Sequence, residues 1–220
     1  MTADAANGPT VRTLYLLRHC APVQASGGKR YLGQADPPLS PEGIQQAHRW
    51  RYWFRTIALS AVYCSDLQRA RHTAAIVFAD HPLSIHPLGA LREVHLGEWE
   101  GLPFAEVRQR DPIAYAERGR DPAAHRPPGG ESFQDLRERV VPTFTRIVAE
   151  TRGDIALVGH AGVLRVLLCH LLGLPLAHLF RIGQDPGGLS VVLARADSYR
   201  VQSVNIPPPC LDSGHRLVQN

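Results

Sequence analysis

Apolar positions in this chain fall into two patterns: short, nearly unbroken runs, and longer segments in which they recur every three or four residues. Residues 13–17 (TLYLL), 61–64 (AVYC) and 154–159 (DIALVG) are of the first kind, which suits strands covered on both faces. The second kind predicts helices. In the segment from Ser40 to Phe54, Ser40 can cap a helix, Pro41 takes its first position, and Ile44, Ala47 and Trp50 or Arg51 space an inner face. Residues 66–79 (DLQRARHTAAIVFA) read as a second helix with Arg69 in its first turn. Residues 132–150 place Phe133, Leu136, Val140, Val141 and Phe144 at helical spacing, and a further helix starts near Ala161.

Between these lie less regular stretches. Residues 20–39 contain GG, GQ and PP without a period and predict a loop long enough to be functional. Residues 84–100 are mixed, with an extended piece near Ile85 and a glycine turn around GEWEG; two short helical pieces follow Pro103, and RPPGG breaks the chain before Ser132. Residues 189–205 alternate and turn at Asp197-Ser198, the pattern of an antiparallel hairpin. Strands followed by helices predict an α/β fold: a three-layer sandwich with a mostly parallel central sheet, helices on both faces and an antiparallel C-terminal hairpin. The expected organisation is a flexible N-terminus at 1–10, one domain at 11–206, and a C-terminal tail at 207–220.

Composition narrows the class. With 220 residues, 44% of them hydrophobic and 20% charged, the chain fits one large globular domain rather than a disordered protein. Its most apolar late stretch, residues 163–180, is interrupted by Arg165, His170 and Pro175, and reads as a buried helix with its exit loop rather than a membrane span. A formal charge of +4 leans toward anionic ligands, but no basic tail suggests nucleic acid. Lys29 is the sole lysine, so the cationic set is almost entirely arginine, the group suited to bidentate phosphate contact; a high-GC genome gives the same bias. Cys20, Cys64, Cys169 and Cys210 are too widely spaced for a metal or redox motif, and the first ten residues do not resemble a secretory signal. A cytoplasmic protein with reduced thiols is expected, and a homodimer is left open.

Three apolar runs end on side chains that handle phosphate: Arg18 and His19 after the first, Arg69 after the second, His160 after the third. Ligands of open α/β sheets bind beyond the carboxyl ends of the strands, where such distant residues can meet. VGHAG has the outline of a hydrolase nucleophile elbow, but His160 stands where the serine belongs, so the serine-hydrolase reading fails. Neutral histidine is a competent nucleophile toward phosphorus, protonated histidine a cationic donor, and arginine forks match phosphoryl oxygens. A metal-dependent hydrolase finds no HExxH or other ligand spacing among the 11 histidines, and no cofactor is expected.

LLRHC, GQADPPLS, SDLQRARHTA, LREVHLGEWEG, GGESFQDLRERV and VGHAGVLRVLL, in that order, resemble the histidine phosphatase superfamily, the phosphoglycerate-mutase-like fold, across roughly residues 13–175. The resemblance implies that His19 forms a phosphohistidine, that Arg18, Arg69 and His160 make the phosphate pocket, and that Glu93 protonates the leaving oxygen. Chemistry asks for such an acid, because an alkoxide leaves poorly. Asp66, Glu98, Glu100 and Glu131 compete for that role, with Glu131 read as structural or supporting. The chain departs from the family pattern at Cys20, where glycine is usual, and at Ala25, where asparagine is common. Cys20 then borders the phosphate site in an altered turn, and Gln34 offers a replacement amide. The chain lacks the Arg-Arg-Ser stretch and long insertion of the family's mutases. Hydrolysis of a small phosphomonoester is therefore expected, with α-ribazole phosphate or a sugar phosphate as candidate substrates. The alternatives are mutase-like phosphoryl transfer and a non-catalytic phosphate-binding module. Residues 102–128 offer Arg108, Arg110, Tyr115, Arg118 and Arg126 to the substrate without a readable pattern.

Overall fold

A computed structural model describes residues 11–24, 28–195 and 198–210. The expectations placed on the N-terminal ten residues, on Ala25, on Asp197 in the hairpin turn and on the tail beyond Cys210 lie outside them. The strands are β1 (Arg12–Arg18), β2 (Ala61–Ser65), β3 (Ile85–Leu88), β4 (Ile155–Gly159), β5 (Leu189–Arg195) and β6 (Ser198–Ile206). They form one sheet in the order β3-β2-β4-β1-β5-β6. The first four are mutually parallel, whereas β5 runs antiparallel to β1 and β6 antiparallel to β5.

The helices are α1 (Pro41–Phe54), α2 (Gln68–Val77), α3 (Phe104–Arg110), α4 (Pro112–Arg120), α5 (Phe133–Glu150) and α6 (Ala161–Leu172). Strand alternation sends side chains to both faces and so builds two cores. Tyr15, Leu17, Val62, Ala156 and Val158 pack against Ala47, Trp50 and Phe54 of α1 and Ala70, Ala74 and Val77 of α2. Leu14, Leu16, Ile155 and Leu157 pack on the other face with Leu136, Val140 and Phe144 of α5 and Leu164, Val166 and Leu167 of α6. The sandwich therefore has three layers. Among the described residues, no helix is long and apolar enough to cross a membrane.

Local chemistry sets the helix starts. Ser40 Oγ accepts from the Gly43 amide at 3.0 Å, with Pro41 at the first position of α1. Of the two residues that could close its inner face, Trp50 is the buried one and donates to the Gly187 carbonyl, while Arg51 turns out to Asp80 at 2.8 Å. Ser132 and Asp135 form a reciprocal capping box on α5. In β1 and β4 the register sets Arg18 beside Gly159, and in β2 and β4 Cys64 beside Val158. Three carboxyl strand ends thus lie side by side at one edge.

Candidate active site

The backbone leaving β1 is held at three consecutive amides. Arg18 N donates to Gly188 O at 2.9 Å, His19 N to Gly159 O at 2.9 Å, and Cys20 N to Thr73 Oγ1 at 3.0 Å. His19 is thereby fixed to the end of β4, to α2 and to the turn before β5. Its Nδ1 lies 2.8 Å from the Cys20 carbonyl. A carbonyl only accepts, so Nδ1 carries the hydrogen and the Nε2 lone pair is left for chemistry. That lone pair accepts from Arg69 Nε at 3.3 Å. Burial, then the charges of Arg18 and Arg69, hold the His19 pKa well below its ordinary value, so the imidazole is neutral near neutral pH.

Arg69, at the second position of α2 and 1% exposed, is built into the site by the loop preceding α1. Its Nη1 donates to Ala35 O and Asp36 Oδ1 at 2.7 and 3.3 Å, and its Nη2 to Gly33 O at 2.7 Å. Asp36 also accepts from the Gln68 and Arg69 amides at the N-terminus of α2, where a carboxylate meets unpaired donors and the helix dipole. Glu100 braces the same loop, accepting from the Gln34 and Ala35 amides at 2.9 and 2.7 Å. Gly33 has φ +49°, and a Cβ there would lie 2.5 Å from Glu100 Oε1, so only glycine fits between the brace and the arginine.

Arg18 donates from Nη1 to Gln184 O at 2.5 Å, and burial lowers its pKa to about 10. His160, at the turn from β4 into α6, is fully buried, with its ring 5.1 Å from that of His19. Neither of its ring nitrogens has a hydrogen-bond partner among the described residues. Burial, then His19 and the arginines, push its pKa well down.

Glu93 follows the 3-10 turn Gly89–Leu91. Its Oε2 accepts from the Gly162 amide in the first turn of α6 at 3.0 Å, and its Oε1 from its neighbour Val94 at 2.9 Å. Arg139 of α5 holds this segment by donating to the carbonyls of Ala90, Arg92 and Glu93 at 2.9, 2.8 and 2.9 Å, while pairing with Glu131 at 2.8 Å. A cavity of about 380 Å³ joins Arg18, His19, Arg69 and Glu93, and Glu93 is the one carboxylate among its lining residues. The competing acids are elsewhere: Asp66 pairs with Arg92, Glu98 is exposed, and Glu100 and Glu131 serve as braces.

Two expected contacts are not made. The Cys20 side chain is fully buried in the core under α1 and α2, where burial pushes its thiol up to about 12; only its carbonyl serves His19. The side chain takes the core side because His19, one residue earlier, takes the cavity side. Nor does the turn at Cys20 need glycine, since Asn205 is the sole non-glycine residue with positive φ among those described. Gln34 does not line the cavity; its Nε2 donates to the Glu93 carbonyl at 3.2 Å. All four cysteines are free.

Nothing local in the sequence marks Arg139, Glu100 or Asp36 as braces, because each acts on a segment distant in the chain. No motif marks Tyr31, Phe104, Phe133, Phe180 or Arg165, which line the rest of the cavity with Tyr115 and Arg118. Arg110 and Arg126 turn away to Asp111 and Asp135, and Arg108 is exposed.

A buried neutral imidazole with an available lone pair, flanked by two guanidinium groups and facing one carboxylate, can attack a phosphorus atom and protonate what leaves it. Comparison with known proteins points the same way. The family model of the histidine phosphatase superfamily (branch 1) matches residues 14–207. The adenosylcobalamin/alpha-ribazole phosphatase of Escherichia coli K12 is 32% identical over 180 residues, 81% of this chain and 88% of its own length. The glucosyl-3-phosphoglycerate phosphatase of Mycolicibacterium vanbaalenii is 34% identical over 175 residues, 75% of this chain and 76% of its own length. Among solved structures, the alpha-ribazole phosphatase from Shigella flexneri superposes with a TM-score of 0.80 at 30% identity, covering 88% of this chain and 96% of that one. This chain belongs to branch 1 of the histidine phosphatase superfamily.

Proposed function

We propose that this protein hydrolyses a small phosphomonoester through a phosphohistidine on His19 Nε2, with Glu93 as the proton donor. The observation that carries this reading is the fixed tautomer: the Cys20 carbonyl holds the proton on Nδ1, which leaves on Nε2 a lone pair engaged by the Arg69 Nε hydrogen alone, and His19 lines the cavity that contains Glu93.

Nε2 forms a bond to phosphorus as the phosphorus bond to the leaving oxygen breaks, and Glu93 in its acid form gives that oxygen a proton. Arg18 and Arg69 offset the charge on the transferring group. His160 stands outside the cavity lining, its ring 5.1 Å from that of His19, and its unpaired nitrogens make it the further donor to the group carried on His19. In the second half, the Glu93 carboxylate takes a proton from water as the water oxygen attacks phosphorus. The N–P bond breaks, the lone pair returns to Nε2, and inorganic phosphate leaves. The non-catalytic alternative rests on Cys20 and Ala25; Cys20 neither strains the turn nor enters the cavity, and Ala25 lies outside the described residues.

Rapid acid-free quench of native protein with labelled aryl phosphate is expected to give an acid-labile, base-stable label that His19→Ala lacks. Label on another residue would overturn the nucleophile assignment. Glu93→Gln is expected to slow alkyl phosphates by about 100-fold or more, the scale of general acid catalysis, and activated aryl phosphates far less. Equal losses would remove Glu93 from its role. A screen of phosphorylated metabolites that includes α-ribazole phosphate and sugar phosphates ranks the substrates.

A further inference from the structure

The cavity carries more positive charge than one phosphoryl group uses. Arg118 of α4 and Arg165 of α6 line it together with Arg18, Arg30 and Arg69. Arg118 is 7% exposed, and its Nη1 has no hydrogen-bond partner among the described residues. Its guanidinium lies over the rings of Trp99 and Phe133, at 5.9 and 5.2 Å from their centroids. Stacking occupies the faces of a guanidinium and leaves its N–H edge unsatisfied. Arg165 donates from Nε to Ile182 O at 2.9 Å and lies 5.5 Å from the Phe180 ring; its terminal nitrogens have no partner among the described residues.

Neither arginine has an ion pair with a described carboxylate. After burial, the charged form of Arg118 is favoured by Tyr31 and then Glu93, and that of Arg165 by Glu93 and then Asp185; none of these forms an ion pair with either arginine, and the Glu93 oxygens accept from the Gly162 and Val94 amides. Burial disfavours an uncompensated guanidinium, and for both residues it is the largest influence on the pKa. Two cations near the proton donor, set among Tyr31, Phe133 and Phe180, await an anion. The phosphoryl group does not supply it, because His19 with Arg18 and Arg69 accounts for that group.

We propose that Arg118 and Arg165 form a second anion subsite, which takes a carboxylate or second phosphate carried by the alcohol that the enzyme releases. The substrate class is then a phosphomonoester with an apolar or planar body and a further negative charge. This rests on the phosphatase reading above and sharpens it, since the alcohol of an uncharged nucleoside gives neither guanidinium edge a partner.

The test uses His19→Ala protein, which binds esters without turning them over, and calorimetry with four probes: phenyl phosphate, 4-carboxyphenyl phosphate, its amide 4-carbamoylphenyl phosphate, and benzene-1,4-diyl bisphosphate. The carboxylate or the bisphosphate is expected to bind at least about tenfold tighter than the amide, the scale of one charge-assisted hydrogen bond. The tighter of the two names the anion. Adding Arg118→Gln or Arg165→Gln is expected to bring that ratio to within about twofold. Equal binding of the amide, the carboxylate and the bisphosphate would overturn the subsite, as would a ratio that survives both substitutions. The ratio in His19→Ala alone decides the case if an arginine variant fails to fold. Hydrolysis by native protein is scored separately: its absence would fault the phosphatase reading and leave the binding ratios in force.

Discussion

Gly162→Ala separates the chemistry of Glu93 from the stability of the fold. A Cβ at residue 162 would lie 2.4 Å from Glu93 Oε1 and 3.1 Å from Phe133 Cε1. The first contact is impossible, but the atom that must yield is the tip of a flexible side chain. Glu93 therefore swings away and loses the 3.0 Å bond from the Gly162 amide. Losing a hydrogen bond to a charged group costs about 1.5–3 kcal/mol. Gly162 lies in the first turn of α6 and does not have positive φ, so alanine recovers at most the about 1 kcal/mol of a helix interior. The net loss is about 1 kcal/mol, a fall in melting temperature of about 2–4 °C for a domain of this size. With Glu93 in its proposed role, activity responds differently, because a displaced carboxyl no longer reaches the leaving oxygen. Alkyl phosphate turnover is expected to fall about 100-fold, while 4-nitrophenyl phosphate, whose phenolate leaves unaided, loses less than about tenfold. Steady-state kinetics on both esters, with calorimetric melting, reads the two effects. Equal loss on both esters, or a collapse in melting temperature, would refute the reasoning.

Two further outcomes concern stability. His19 and His160 are held neutral in the folded chain, whereas each titrates near about 6.5 when unfolded. The unfolded state binds more protons below that pH, so stability is full above about 6.5 and falls with acidification, by up to about 1.4 kcal/mol per pH unit for each histidine. Urea unfolding in phosphate-free buffer from about pH 7.5 to pH 5 should show His160→Asn losing less stability per unit than native protein; parallel curves would contradict the burial account. At Asn205, φ is 56°, and the side chain accepts from the Asp185 amide and donates to the Asp185 carboxylate, both at 2.7 Å. Asn205→Ala loses both bonds and keeps the left-handed backbone, whereas Asn205→Gly loses only the bonds, so the alanine variant should be less stable by about 1 kcal/mol. A glycine variant no more stable in urea would show that the backbone there is unstrained.

How far the sequence carried depended on the range of each interaction. Strands β1, β2 and β4 were legible because burial on both faces leaves an unbroken apolar run, and Ser40-Pro41 marked the start of α1 locally. The sheet edge followed from them, and with it Arg18, His19, Arg69 and His160. Glu93 came from resemblance alone, since it lies beyond a 3-10 turn with no periodic signature. Cys20 was misplaced because the sequence shows adjacency to His19 and not direction: one residue along the chain reverses the side that a side chain faces. Gln34 was misplaced for a related reason, as the Glu93 carbonyl that claims its amide is 59 positions away. Arg118 gave no pattern, because its ring partners Trp99 and Phe133 come from separate segments.

In the proposed reaction, the N–H that Arg69 lends to His19 also favours a phosphoryl group over an uncharged electrophile. While the Nε hydrogen rests on the Nε2 lone pair, an uncharged electrophile must strip away that bond and offers the guanidinium nothing in return. A phosphoryl group brings oxygens that accept the same hydrogen as the lone pair is spent on phosphorus. Ala35, Asp36 and Gly33 occupy three of the other four donors, so the Nε hydrogen and one on Nη2 are what Arg69 has to hand over. Arg69 thus works as a catch on the Nε2 lone pair that an anion releases by taking its hydrogen.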